Sequence, residues 1–157
     1  MPVSFRFVAL PSERFSPYFA WSDDQLRDIG ARRMLVDERP GFPCRVSLED
    51  AGIGETVILL PFTHHETDSP YRASGPIFVR EGGVTATPAV DEVPAMFAHR
   101  LLSLRGYDAT GTMVAADVVS GTELGDALRR VFGDERVDSV HVHNARPGCY
   151  NCRVVRA

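Results

Sequence analysis

The stretch SVHVHNARPGCYNC, Ser139 to Cys152, holds two of the five histidines and two of the three cysteines of a 157-residue chain. Two strand-like runs flank Ala145-Arg146-Pro147-Gly148, so it reads as a hairpin. Side chains alternate along a strand, which places His141 and His143 on one face roughly 7 Å apart. With a four-residue loop, Asn144 stands opposite Cys149, His143 opposite Tyr150 and His141 opposite Cys152. His141, His143, Tyr150 and Cys152 then share one face, with Asn144 and Cys149 on the other. An odd-length loop or a bulge would reunite Cys149 with the histidines.

Working outward, residues 101–107 and 112–119 flank Asp108-Ala109-Thr110-Gly111 as a second hairpin. After it, Ser120 or Thr122 is placed to cap a helix with the apolar stripe Leu124, Ala127, Leu128, Val131 and Phe132, ending at Gly133. Towards the N-terminus, residues 55–62 form a continuous β-branched and aliphatic run, which predicts a central strand. Residues 64–75 have no periodicity and read as a long loop. Residues 76–80 and 32–37 read as strands, and residues 3–10 alternate as a half-buried strand. Ser22 with Gln25 has the form of a capping box for a short helix over 23–29, and Asp91 and Glu92 start another through about residue 99. The fold class expected is α+β, one domain over 1–157 with a mostly antiparallel sheet built from hairpins and two or three short helices.

At 44% hydrophobic the chain can bury a core without disulfides or metal. A net charge of -4 without a basic face argues against nucleic acid or a membrane surface as partner. No run reaches the roughly 20 apolar residues of a membrane span, and the N-terminus lacks the pattern of a signal peptide. An odd number of cysteines without an export signal points to reduced thiols and the cytoplasm. Every basic residue is Arg, which excludes Schiff-base chemistry on Lys. There is no GxGxxG, P-loop, HExxH, GxSxG or EF-hand loop.

The strings GFPCRVSL (41–48), SPYRASGPIFV (69–79), RGYD (105–108) and HVHNARPGCY (141–150) resemble the bacterial family called domain of unknown function 1203. The resemblance runs in order over nearly the whole chain and implies a stand-alone bacterial protein, without implying an activity. Cys149 lies inside the resembling motif and Cys152 outside it.

Three chemistries remain open from the residues. A polar pocket between the 69–75 loop and the 141–150 hairpin would hold a small anionic molecule, with Arg45, Arg72 and Arg105 as forked donors and Tyr71, Ser74 and Tyr107 beside them. His143 and Asn144 would help to orient the ligand. A thiol hydrolase would use Cys149 as nucleophile with His143 and Asn144. A metal-dependent enzyme would use His141 and His143, zinc being the ion considered and no other cofactor expected, with His64 or His65 as added ligands. A scaffold without ligand is the remaining alternative.

Overall fold

The computed structural model describes residues 2–157 and contains two antiparallel sheets. The larger runs in the order β1-β8-β7-β5-β6, from β1 (Phe5–Val8), β5 (Leu101–Tyr107), β6 (Met113–Ser120), β7 (Ser139–Asn144) and β8 (Tyr150–Arg156). The smaller is β2-β3-β4, from β2 (Arg32–Leu35), β3 (Thr56–His65) and β4 (Ala73–Arg80). Two short helices, α1 (Asp23–Asp28) and α2 (Leu124–Phe132), complete the α+β fold. No helix is long and apolar enough to cross a membrane among the described residues.

The local signals act as the chemistry predicts in most places. Ser22 accepts from the Gln25 amide at 3.1 Å while the Gln25 side chain accepts from the Ser22 amide at 2.8 Å, completing the capping box of α1. In α2 the five stripe residues Leu124, Ala127, Leu128, Val131 and Phe132 are all buried. They pack on Leu102, Leu104, Val140, Val142 and Val154 of the larger sheet. Leu128 is fully buried there, so Leu128→Ala is expected to lower stability by about 2–5 kcal/mol in urea unfolding. A change below about 1 kcal/mol would mean that α2 is not docked on this sheet.

Four expectations are corrected. Neither Ser120 nor Thr122 caps α2; a 3-10 turn over Gly121–Glu123 precedes the helix, and the two hydroxyls bond to each other at 3.1 Å. The segment after Asp91 and Glu92 forms only a 3-10 turn, Ala95–Phe97. The loop expected over 64–75 is shorter, the connection of a hairpin: β3 continues through His65 and β4 begins at Ala73, leaving 66–72 between them. Finally, the β7–β8 register slips by one residue, as described next.

The central run 55–62 does become the middle strand of its sheet. Tyr150 of the larger sheet joins Ile58, Leu60 and Phe62 of β3 in one apolar cluster. The two sheets therefore meet at the start of β8.

Candidate metal centre

Partners across antiparallel strands share a face, so the registers define what the larger sheet presents on each side. On one side lie the rows Ser103–His143–Tyr150 and Arg105–His141–Arg153. The other side carries Leu102, Leu104, Val140, Val142, Cys152 and Val154, the floor on which α2 sits.

Two β-bulges build the polar side. In β8 the pairing passes from His143↔Tyr150 to Val142↔Cys152, so Asn151 is an extra residue. The slip turns Cys152 into the apolar core and puts Arg153, not Cys152, opposite His141. In β3 the pairing passes from Thr63↔Ser74 to His65↔Ala73, making His64 the extra residue. Regular alternation would send adjacent histidines to opposite faces; the bulge lets both turn towards β7.

The result is a cluster of imidazoles. The His64 ring centroid lies 4.9 Å from that of His143 and 6.1 Å from that of His141. Each of the three rings offers a nitrogen such that all three nitrogens lie within 4.8 Å of one another. No Cys, Asp or Glu joins them among the described residues. Three buried ring nitrogens have no hydrogen-bond partner: Nδ1 of His64, Nδ1 of His141 and Nε2 of His143. Buried polar atoms are rarely left unpaired, so this concentration calls for an explanation.

His143 shows how one nitrogen is kept bare. Its Nδ1–H donates to the Gly148 carbonyl at 2.9 Å, which fixes the tautomer and leaves Nε2 as a lone pair. Burial pushes the rings well below the ordinary histidine range, His64 to about 4 and His141 and His143 to about 3, with neighbouring cations adding to the effect. All three are therefore neutral at pH 7, the state in which imidazole binds metal. Ions bound at about 2.0–2.1 Å hold tetrahedral ligands some 3.3 Å apart, so closure here needs ring movements of about 1 Å.

The depressed values also make a stability prediction for chelator-treated protein. A folded pKa below the unfolded value near 6.5 adds stability above about pH 6.5, which is lost as pH falls towards 4, because only the unfolded chain takes up protons there. Urea midpoints should thus drop from pH 7 to pH 5, and less steeply in His64→Gln. Parallel curves for the two proteins would refute it.

The surroundings are aromatic and cationic. Tyr150 is buried, its ring stacked on His64 at 5.3 Å and 6°, and burial raises its phenol. His65 is committed elsewhere: it stacks on Tyr107 at 3.8 Å and its Nε2 meets the Gly111 carbonyl at 2.9 Å. A cleft of about 300 Å³ opens beside the cluster, lined by His64, His65, Tyr107, Ser139, His141 and Arg153 among others. Neither Arg105 nor Arg153 forms an ion pair among the described residues.

The other residues singled out in the sequence do not converge as one pocket. Arg45 is 2% exposed and donates from Nε to the Tyr150 carbonyl at 2.8 Å and from Nη1 to the Pro43 carbonyl at 2.5 Å. Burial lowers its pKa to about 10, so it stays charged, and it pins the start of β8 to the 43–45 turn. Arg72 pairs with Glu66 at 3.1 Å on the surface, and Tyr71 and Ser74 are exposed. The 66–72 loop, which bears Tyr71 and Arg72, is tied to the β5–β6 turn by Ser69 Oγ donating to the Gly111 carbonyl at 2.8 Å. Of the six anion contacts, Arg105 pairs with His141 across the ladder and Tyr107 packs edge-on against the His141 ring.

The thiol site is not assembled either. The loop is the expected four residues, closed by the Asn144 amide donating to the Cys149 carbonyl at 2.8 Å. Strand alternation therefore keeps Asn144 and Cys149 off the histidine face. Asn144 Oδ1 accepts from Asn151 at 2.8 Å and His143 Nδ1 is taken by Gly148, so neither bonds to the Cys149 thiol. The sequence offered His64 or His65 as an added ligand without choosing between them; the structure groups His64 with His141 and His143, while His65 is held by Gly111.

A family model described as protein of unknown function (DUF1203) matches residues 41–156. No curated protein and no solved structure matches the chain.

Proposed function

The chain belongs to DUF1203, whose description names no activity, and from its own geometry we propose that it is a metal-dependent enzyme binding one divalent transition ion through His64, His141 and His143. The observation that carries this reading is a set of three neutral imidazoles that can place one nitrogen each within 4.8 Å of the others and that each hold one buried nitrogen without a partner. Structural zinc sites saturate the ion with four protein ligands; three protein ligands leave a position for water or substrate. A water on that position becomes a nucleophile near neutral pH, which suits hydrolysis or hydration.

Arg105 and Arg153, placed on either side of His141 in the ladder and free of acid partners, favour a small anionic substrate. A second reading keeps the anion and omits the metal, and it rests on the same two guanidinium groups. Three free thiols suit a reducing compartment, which supports a cytoplasmic location.

Elemental analysis of untagged protein, with cobalt(II) reconstitution after chelation, separates the two readings. The expected result is about one equivalent of metal and a visible cobalt spectrum of four- or five-coordinate type. Failure to take up zinc, cobalt, nickel or copper at micromolar concentration, with phosphate still bound by the metal-free protein, would leave the second reading.

A further inference from the structure

A second cleft, of about 660 Å³, lies between the 44–50 turn, the connection after β4 and the 3-10 turn Ala95–Phe97. It shares no lining residue with the histidine cleft. Its size is that of a small-molecule site, and Leu48, Ala86, Pro88, Pro94 and Met96 give it apolar walls. Leu48 holds a left-handed backbone at φ 53, unusual for a side chain of this kind, with its amide closing the turn onto the Cys44 carbonyl at 3.0 Å.

The polar groups on the walls differ in what they still need. Asp50, 6% exposed, accepts from Arg100 through two guanidinium nitrogens, one at 3.1 Å, and His99 Nε2 stands 3.2 Å from it. Glu49 pairs with Arg80 at 3.4 Å, and Glu92 accepts from the Ala89 amide at 2.7 Å. All three acids are thus engaged. Two groups are not: the Ser47 hydroxyl is buried without a partner, and Arg39 makes no side-chain hydrogen bond or ion pair among the described residues. An apolar trough with an unmatched donor and an unmatched cation asks for an apolar body with one anionic head.

We propose that this cleft binds a small amphipathic anion, an aromatic or aliphatic body bearing one carboxylate or sulfonate, with Arg39 and Ser47 receiving the head group. The site is independent of the metal centre. Its occupancy does not depend on whether the histidines are loaded.

Two fluorescent probes of one shape test it on the full-length protein: 8-anilinonaphthalene-1-sulfonate and the uncharged N-phenyl-1-naphthylamine. Ala95 lines the cleft from an exposed position, so Ala95→Trp fills it without disturbing the core. That variant, checked by thermal melting to be folded, should weaken both probes about tenfold or more, the loss of roughly 1.4 kcal/mol or more of binding. Arg39 is exposed, so Arg39→Gln should weaken the sulfonate about fivefold and leave the uncharged probe unchanged. Probe binding unaffected by Ala95→Trp would overturn the site, and equal effects of Arg39→Gln on both probes would overturn its anion selectivity.

Discussion

Gly121→Ala is expected to yield no stably folded protein. Gly121 is buried where the chain entering α2 crosses the segment after the 3-10 turn Ala95–Phe97, and its amide donates to the Arg100 carbonyl at 2.8 Å. A methyl group built there would lie 1.6 Å from the Phe97 carbonyl oxygen and 2.5 Å from its carbon. Both are backbone atoms, so no rotamer change relieves the overlap. Separating the segments would lift Phe97, Leu124 and Val119 out of one cluster. The expected loss exceeds about 4 kcal/mol, against a total stability of about 5–15 kcal/mol for a domain. Gly148→Ala is the control: its φ of 82 strains a side chain, yet nothing lies within 4 Å, so about 1–2 kcal/mol should be lost. Soluble yield, circular dichroism and urea titration check both, and near-parental stability in Gly121→Ala would show that the crossing opens easily.

The second large effect separates two adjacent residues. His64→Gln should lower metal affinity by more than the roughly 10–100-fold that follows loss of an outer-shell partner. His64 is half-buried, so the fold should survive. His65→Gln should leave affinity within about tenfold, because its Nε2 is already bonded to Gly111 and its role is to hold the β5–β6 turn against the cluster. Competition against a chromophoric chelator measures both. Equal losses would mean that the ion, if bound, does not sit between β3 and β7.

Much of this architecture was legible because its determinants are local. The Ser22–Gln25 box, the α2 stripe and the four-residue loop after Asn144 each depend on residues a few positions apart. The site was half legible. Alternation put His141 and His143 together, and the same rule misplaced Cys152, because a regular ladder cannot anticipate Asn151 as an extra residue. The choice between His64 and His65 was hidden for a related reason: the orientation of His64 depends on a bulge and on packing against Tyr150, a residue 86 positions away in the chain. The buried Arg45 was read as a ligand contact since a guanidinium usually seeks an acid, whereas here two backbone carbonyls receive it. What was missed was set by contacts distant in sequence.

The fate of the three cysteines makes the native chain a practical single-thiol protein. Cys44 and Cys152 are buried, the latter with its thiol pushed up to about 12 by burial, while Cys149 is partly exposed. Cys149 directly follows Gly148, whose carbonyl holds the ring of His143. A maleimide dye or nitroxide added under native conditions should couple there once per molecule, next to the histidines and off their face. Such a reporter would read uptake of paramagnetic cobalt(II) or copper(II) by quenching or line broadening without any engineered residue.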